Sequence, residues 1–488
     1  MGSTFGTYSI AYSGMYTSQA SLAATSTNLA NVNTAGASRV RVASAEQATV
    51  KSDGTSVGAG VNVESVTRAR DQFLDSTYRT QNTKAGYWVV KNGNLEYMQE
   101  IVNEFESEDT GLQQMVSEFF NSWEELSKDP ASESNRQVVT EAAASLISAV
   151  TELDEQLQQL QADAYNGVLD GVDLLNDLAA QIAELNQQIS QAEAGGGEAS
   201  YLRDQRDALL DEMSAPANIS AQESNGTLQV TIGGVTLVSG SRTHTLVVEG
   251  EGSTESPLTV KWADLDCKAN ITGGSIAAYL EDAGQAGFET IDADSLPYSF
   301  TTSATSSIST LRQALNDLIT TLAEELNALH SAGYGLDDST GLDFFTVIDS
   351  NQPLSITNIQ VNPELLADPD KIAVSGEAGE EGNNTIAAAI CNLSTQECYQ
   401  FNGVTMNIDN FYEALTSWLG TTGSNAASSY ETQAALVEQV NNQRQSICSI
   451  SLDEEMSNMI MYQNAYGAAA RVLSTIDGLI GDLIQELG

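Results

Sequence analysis

Residues 450–488 read ISLDEEMSNMIMYQNAYGAAARVLSTIDGLIGDLIQELG, and this stretch decides the fold. Positions taken at alternating spacings of four and three are mostly apolar or alanine, and no proline interrupts them. These positions are Leu452, Met456, Met459, Gln463, Tyr466, Ala470, Leu473, Asp477, Ile480, Ile484 and Leu487. The pattern predicts a long helix that packs against another helix. At about 1.5 Å per residue, ~37 residues would extend roughly 55 Å, which is too long for one compact domain. The helix therefore needs a partner.

The N-terminal segment repeats this spacing and is the predicted partner. Its positions are Tyr8, Tyr12, Met15, Gln19, Leu22, Ser26 and Leu29. One glutamine stands in each seam, Gln19 and Gln463, and the two could set the register. No charged side chain precedes Arg39, although the formal net charge is −47. The lack of like-charge repulsion fits a segment that packs among identical copies. A helical hairpin that simply closes a monomer explains the spacing equally well.

Length and composition limit the class of protein. A chain of 488 residues has room for about three domains. A hydrophobic content of 41% and an aromatic content of 6% fit a helix-rich globular protein. With 66 acidic and 19 basic residues, no basic patch can neutralise a phosphate backbone, so nucleic acid is excluded as a partner.

Two further patterns concern export and redox chemistry. The N-terminus lacks the basic and apolar regions of a secretory signal peptide, and no run reaches the length of a membrane-spanning helix. We therefore expect no Sec-type export and no membrane partner. The four cysteines, Cys267, Cys391, Cys398 and Cys448, lack zinc spacing. Cys391 and Cys398 could form a bridge in an oxidising space, or both could be small buried hydrophobic residues.

Periodicity along the chain predicts a mainly α fold with an inserted β-rich domain. Helical runs cover residues 95–105, 112–126, 139–189, 308–329 and 385–393; Pro130 ends the second run, and a linker at 195–197 ends the third. Shorter helical runs at 411–419 and 433–447 lead into the terminal helix. Residues 227–232 and 235–238 alternate around Gly233-Gly234, which predicts a β-hairpin.

The predicted protein is elongated and nested, because the chain goes out through helices and returns through helices to pair its two ends as a coiled coil. The predicted divisions are an N-terminal assembly helix at 1–38, a first helical-bundle part at 39–213 with an extended segment at 39–69, a β-rich outer domain at 214–305, a returning bundle part at 306–449, and a C-terminal assembly helix at 450–488.

Candidate chemistry is sparse. His244 lies in a β-rich run, and His330 ends a helix, where the helix dipole favours a cation. Neither lies in a zinc motif. The triple glycine at 195–197 lacks the Lys-Ser/Thr of a phosphate loop. We expect no catalytic residue and no cofactor.

Two acidic groups and a methionine group have a structural interpretation as well as a metal-binding one. Asp204, Asp207, Asp211 and Glu212 suggest calcium, but the closest loop, 337–341, lacks a bidentate glutamate at the twelfth position. A solvated turn fits that loop better. The group Met456, Met459 and Met461 is typical of core or interface packing. We therefore expect no metal site.

Several stretches resemble bacterial flagellar axial proteins. Ser13-Gly14-Met15, Gln19, Leu22, Asn28, Asn31, Asn33-Thr34 and Gly36 resemble the shared opening of rod, hook and hook-associated proteins. Other stretches resemble the hook-associated protein 1 family more specifically, namely 202–209, 326–334, 343–345, 440–446, 451–456 and 462–466. The family usually has an aromatic residue where this chain has Ala37, and residues 346–385 are short for the family.

The resemblance implies a structural, non-enzymatic subunit of the junction between flagellar hook and filament, located outside the cell. It implies flagellar type III export with an export chaperone, and termini that order into a coiled coil on assembly. The implied partners are further copies in a ring, the hook protein, and flagellin or a second junction protein. Alternatives are another axial protein, or a secreted adhesin or enzyme with flagellar-type ends and its activity in residues 214–305.

The predicted assembly interface combines the two terminal seams, and residues 70–200 and 308–447 would touch lateral neighbours. The interface residues are Tyr8, Tyr12, Met15, Gln19, Leu22, Leu29, Asn31, Leu452, Met456, Met459, Gln463, Tyr466, Leu473, Ile480 and Ile484.

Overall fold

The computed structural model describes residues 4–47, 50–52, 55–104, 111–224, 227–252, 256–265, 267–284, 298–300 and 306–487. Within these residues the helices are α1 (Thr4–Ala30), α2 (Gln72–Glu104), α3 (Leu112–Lys128), α4 (Glu133–Glu193), α5 (Ser200–Met213), α6 (Ser275–Asp282), α7 (Ser307–His330), α8 (Pro363–Ala367), α9 (Thr385–Leu393), α10 (Ile408–Cys448) and α11 (Leu452–Leu487). The strands are β1 (Val40–Glu46), β2 (Val50–Ser52), β3 (Thr55–Val57), β4 (Val61–Arg68), β5 (Ile219–Ser224), β6 (Thr227–Ile232), β7 (Val235–Ser239), β8 (Arg242–Thr243), β9 (Leu246–Glu249), β10 (Thr259–Trp262), β11 (Cys267–Lys268), β12 (Tyr298–Phe300), β13 (Phe345–Thr346), β14 (Gln360–Val361), β15 (Tyr399–Phe401) and β16 (Val404–Met406). The mainly α architecture with several small sheets confirms the predicted fold class.

The two terminal helices lie side by side. Asn28, near the end of α1, donates a hydrogen bond to Glu455, near the start of α11, at 3.1 Å, so the helices run antiparallel. The pairing of the chain ends is confirmed. We refer to α1 and α11 together as the terminal pair.

An extended hairpin follows the first helix, as the alternation in residues 39–69 predicts. Strands β1 and β4 pair antiparallel from Val40 opposite Arg68 to Glu46 opposite Val61, with a bulge between Ala43 and Ser44. The inner strands β2 and β3 continue the hairpin.

The first hydrophobic core lies among α2, α3, the first half of α4, α7, α9 and α10. Phe119, Trp123, Leu311 and Phe344 are fully buried in it. Phe105 was also expected on this apolar face, but it lies outside the described residues. The period of apolar residues predicts α3, α7 and α9 well, because each helix packs one face on this core.

Helix α10 is one helix of 41 residues, whereas the sequence predicts separate helical runs at 411–419 and 433–447. That prediction was wrong because the intervening residues are small and polar and show no apolar period. Gly423 and Ala426 are buried in this helix, which packs along α2. A Cβ on Gly423 would lie 2.4 Å from the Gln99 side chain, so small residues permit the close approach that keeps this stretch helical.

The second hydrophobic core joins the second half of α4 to α5, α6 and the β-rich segment. Helix α4 has 61 residues, so at about 1.5 Å each it spans both cores over roughly 90 Å. Val230, Ile232 and Trp262 of the sheets are buried in the same cluster as Ile182 of α4. The β-rich segment therefore shares its core with a helix of the preceding segment.

The predicted hairpin turn is present between β6 and β7. Gly233 and Gly234 both have positive φ, at 56° and 86°, as a two-residue hairpin turn requires. All four cysteines are free thiols, and burial raises the pKa of Cys398 to about 11. No helix in the described part of the chain is long and apolar enough to cross a membrane.

Candidate assembly interface

The buried face of α1, which packs against α11 and the β1–β4 hairpin, is built from small and polar side chains. The buried residues of α1 are Ala11, Ser18, Ser21, Ala24, Thr25 and Asn28. Most lie one position before the residues of the predicted seam, so the contact stripe is rotated by about one residue. Counting apolar residues misses this stripe, because small side chains allow close helix packing without being strongly hydrophobic.

The contact stripe of α11 follows a regular spacing of four and three. Its buried or half-buried positions are Glu455, Met459, Tyr462, Ala469, Leu473, Ile476 and Ile480, and Asn458, Gly467 and Ala470 are also half-buried. The predicted Met459, Leu473 and Ile480 are among them. At the alternate positions, however, Tyr462 and Ile476 replace the predicted Gln463 and Asp477. The observed register buries more apolar surface and leaves Asp477 exposed.

The other predicted interface residues point away from the intrachain contact to different degrees. Those exposed are Tyr8, Tyr12, Gln19, Leu452, Met456, Gln463, Tyr466 and Ile484. Those half-buried are Met15, Leu22, Leu29 and Asn31. The side chain of Asn31 donates a hydrogen bond to the carbonyl of Thr27 at 3.0 Å and so helps to end α1.

The surface of the terminal pair outside the α1–α11 contact, called its apolar outer face below, carries exposed large hydrophobic residues on both flanks of α11. Its exposed large hydrophobic residues are Tyr8, Ile10, Tyr12 and Tyr16 of α1 and Leu452, Met456, Ile460, Met461, Tyr466, Val472, Leu479 and Ile484 of α11. Tyr12 is 53% exposed and Ile460 is 59% exposed. A series this long along one helix pair is typical of a protein interaction surface rather than of a solvated face.

Packing within the chain does not explain four glycines in the terminal helices. No atom lies within 4 Å of the position that a Cβ would take at Gly14, Gly467, Gly478 or Gly481. A glycine in a helix costs about 0.5–1 kcal/mol relative to alanine, so its retention usually serves a close approach.

A buried polar cluster holds the end of the terminal pair where it meets β1. Asn28 exchanges hydrogen bonds with the backbone of Val40, at 2.9 and 2.8 Å, and also contacts Glu455. Glu455 is 1% exposed and forms an ion pair with Arg39 at 2.8 Å, and Arg39 also reaches Glu454. The first charged residue of the chain therefore neutralises a carboxylate inside the helix contact. The sequence interpretation missed the role of Glu455. The signal that could have indicated an acidic partner was Arg39, the first charged residue of the chain.

Two family models match this chain. The model described as "Flagellar hook-associated protein FlgK helical domain" matches residues 98–345, which is just over half of the sequence. The chain belongs to the FlgK family of flagellar hook-associated proteins. A second model, "Flagellar basal body rod FlgEFG protein C-terminal", matches residues 449–486, which correspond to α11. Family membership confirms the resemblance read from the sequence.

Relatives of this family match along their whole length. The chain is 29% identical over 515 residues to "Flagellar hook-associated protein 1" of Bacillus subtilis, covering 100% of this chain and 99% of the relative. The Escherichia coli protein of the same name is 26% identical, with coverage of 97% and 98%. The solved structure of the flagellar hook junction protein FlgK from Burkholderia pseudomallei has a TM-score of 0.60 at 15% identity, and the match covers 77% of this chain and 100% of that chain. That structure supports the fold.

The acidic residues considered for calcium are instead paired with arginines. Asp204, Asp207 and Asp211 lie on one face of α5 and contact guanidinium groups from β4, α2 and α10. Although burial opposes it, the charges of Arg70, Arg68 and Arg79 hold the pKa of Asp207 below its ordinary value. These carboxylates are neutralised by the protein itself. Sequence reasoning missed the arginines, because they are far from α5 along the chain.

Of the remaining candidate residues, His330 is a buried core residue. In the parts of the chain that the structure describes, no group of three or more His, Cys, Asp or Glu residues is arranged to hold a metal ion. The expectation of a cation at His330 was wrong. His330 is 1% exposed, its Nδ1–H donates to the Leu342 carbonyl at 2.7 Å, and its Nε2 accepts from the Ala373 amide at 2.9 Å. Burial lowers the pKa of His330 to about 4, with a smaller contribution from the Arg136 charge, so the ring is neutral near pH 7.

Proposed function

We propose that this chain is a structural subunit of the junction between the flagellar hook and filament, and that its copies form a ring through their terminal pairs. The observation that carries the proposal is the apolar outer face of the terminal pair. The intrachain contact leaves this face uncovered, and water is a poor environment for so many large hydrophobic side chains.

The occupant of the outer face is a second copy of the same chain. Each copy carries a formal net charge of −47, so copies repel one another wherever their charges approach. Residues 1–38 contain no charged side chain, which makes α1 the segment best suited to a crowded contact between copies. The uncrowded glycines Gly467 and Gly478 of α11 are consistent with close approach of a neighbouring helix.

The same proposal assigns roles to the rest of the chain. The terminal segments 1–38 and 450–488 form the assembly core, and residues 70–200 and 308–447 form the body that touches lateral neighbours. We also propose that the intervening chain divides into a first bundle part at 39–213, a β-rich outer domain at 214–305 and a returning bundle part at 306–449. The proposed partners of the subunit are the hook protein on one side and flagellin or a second junction protein on the other.

Export through the flagellar type III channel, with a chaperone, is part of the proposal. Terminal helices that pack mainly through small residues lose little by remaining unpaired until neighbours supply the buried surface. We infer no catalytic role, because His330 and three aspartates of α5, Asp204, Asp207 and Asp211, are held by structural partners.

A strain that lacks this protein tests the proposal directly. We expect electron microscopy to show hooks without filaments, and we expect unpolymerised flagellin in the culture supernatant. Complementation with the unmodified chain should restore filaments. Filaments that remain attached in the deletion strain would contradict a junction role and favour another axial position.

A further inference from the structure

One face of α5 receives side chains from every segment that connects the terminal pair to the body. On the outgoing side, Asp204 accepts hydrogen bonds from the backbone N–H of Ser38 at 2.9 Å and from its hydroxyl at 2.6 Å. On the same side, Arg68 at the end of β4 forms ion pairs with Asp204 at 2.7 Å and Asp207 at 2.8 Å. On the returning side, Arg444 near the end of α10 pairs with Asp211.

The ion pairs close into a ring. Arg70 joins Asp207 at 3.1 Å to Asp75 at 2.9 Å. Arg444 joins Asp75 at 3.6 Å to Asp211. Arg79 joins Asp211 at 2.8 Å back to Asp207 at 3.4 Å. Three arginines thus alternate with three aspartates, and Asp207, with three arginine partners, has the most partners of the three aspartates.

The side chains of the ring are mostly buried, and the ring uses residues that are scarce in this chain. The side chains of Arg70, Arg79 and Arg444 are 12–15% exposed, and those of the three aspartates are 9–16% exposed. Charge-assisted bonds in such surroundings are stronger and less screened than surface pairs. Arg444 also lies over the ring of Tyr78, 4.0 Å from its centroid, which fixes its direction.

Elsewhere the joint is loosely packed. A cavity of about 270 Å³ is lined by Gly36, Ser38, Asp204, Arg444 and Ile450 among others. A second cavity of about 210 Å³ is lined by Asn31, Ala37, Tyr201 and neighbouring residues. Because these pockets open to solvent between the crossing segments and α5, van der Waals contact there is incomplete and fixes their direction poorly. The ion pairs must therefore supply much of the constraint.

We propose that α5 is the joint that sets the direction in which the terminal pair leaves the body, and that Asp207 is its central positioning residue. The effect of this joint on ring assembly rests on the proposed function. Copies in a closed ring must present the same surface at the same angle, so a joint with a variable angle would prevent the ring from closing.

Hydrogen–deuterium exchange on the purified full chain tests the joint. In Asp207→Asn, which keeps the shape but removes the charge, we expect exchange in residues 31–47, 61–72 and 441–450 to rise on the order of tenfold, since the carboxylate that pairs with Arg68, Arg70 and Arg79 is lost. Exchange in α3 and α7 should stay unchanged. Asp207→Glu should recover part of the protection, and Glu212→Gln, at an exposed carboxylate of the same helix, should change nothing.

Two outcomes overturn the inference. Unchanged exchange in the three crossing segments would mean that the ring does not hold them. An equal rise in α3 and α7 would mean that Asp207 supports overall stability and not a joint. If Asp207→Asn fails to fold, Arg444→Gln isolates the returning segment, and exchange at 441–450 then decides the question by the same criterion.

The exchange result is independent of the flagellar role, because it is measured on the isolated chain. A deletion strain with attached filaments would end the proposed function but leave the joint intact. Bare hooks in that strain together with unchanged exchange in Asp207→Asn would keep the function and end the joint. With both intact, Asp207→Asn should give fewer filaments per cell than Glu212→Gln.

Discussion

At the scale of single residues, buried basic groups act as links between elements. Arg312 of α7 forms a two-pronged pair with Asp154 of α4 at 2.6 and 3.0 Å. Lys91 of α2 pairs with Asp282 of α6 at 2.8 Å. Arg136 instead donates to the carbonyls of Ile372 and Pro130, and burial lowers its pKa to about 10, so it remains charged near pH 7. In a chain with so few cations, each buried one fixes a specific contact.

Because folded His330 is neutral, we expect the free energy of unfolding to fall as the pH drops, before the carboxylates become protonated. Its folded pKa of about 4 lies below the ordinary value of 6.5. Between these values the unfolded chain binds a proton that the folded chain does not. The contribution of His330 is therefore complete above pH 6.5 and is lost as the pH falls toward 4, by up to about 1.4 kcal/mol per pH unit.

Urea unfolding at pH 7.5, 6.5 and 5.5 measures this slope. We expect His330→Asn to lower the free energy of unfolding at pH 7.5, because one of the two ring hydrogen bonds is lost. It should also reduce the loss between pH 6.5 and 5.5. Both proteins should carry His244→Gln, so that position 330 is the one place where their histidine content differs. Equal slopes with and without His330 would contradict a neutral buried ring.

At the scale of elements, two glycines of α4 let α6 lie close to it. A Cβ at Gly171 would lie 2.6 Å from Ile276 Cγ1, and one at Gly167 would lie 2.8 Å from the Tyr279 ring. Both neighbours belong to the second core or pack against it. The glycines therefore exchange helix propensity for close packing of α6 against α4 within the second core.

We expect Gly171→Ala to reduce the free energy of unfolding by about 1–3 kcal/mol, because an added methyl group overpacks the α4–α6 contact. The matched control is Gly93→Ala in α2, where no atom lies within 4 Å of the Cβ position. That variant should gain up to about 1 kcal/mol from better helix propensity. Denaturant unfolding of both variants gives the comparison, and stabilisation by Gly171→Ala would show that α6 can move away at little cost.

The sequence predicts elements well where one apolar face meets a large core. The runs ending at Pro130 and at Gly195 match the ends of α3 and α4 within a few residues. Prediction failed where small residues carry the contact, as around Gly423 in α10 and Ser18 in α1. It also failed for the α5 carboxylates, because their arginine partners come from distant segments. Periodicity detects apolar area and misses close approach and long-range charge pairing.

At the scale of the whole molecule, charge and apolar surface are separated. The chain ends form a pair with an apolar outer face and a charge-free α1, while most of the acidic residues lie in the intervening segments. The pairing of the ends could be predicted from their matching spacing. The spacing could not predict which face of each helix would remain exposed, because rotating a helix by one residue exchanges its buried and exposed residues.

The intrachain seam and the outer face make different predictions. Leu473 is half-buried on the stripe of α11 that faces α1. We expect Leu473→Asp to leave the body folded, as judged by exchange in α3 and α7, but to prevent filament attachment. A charge in the seam costs several kcal/mol when it becomes buried without a partner. Normal motility in that variant would contradict a role of the seam in assembly.

The outer face gives the sharper test, because its residues contribute little to the isolated chain. Tyr12→Ser and Ile460→Ser each remove a side chain that is more than half exposed, so the unfolding midpoint of the purified protein should hardly change. If a second copy covers this face, each lost side chain removes about 1.5–3 kcal/mol of burial at every contact in the ring. We expect fewer attached filaments and more flagellin in the medium, whereas Asn464→Ser, at an exposed polar position of the same helix, should behave as the unmodified chain. Full filament attachment in the double variant Tyr12→Ser/Ile460→Ser would show that the ring forms through other surfaces.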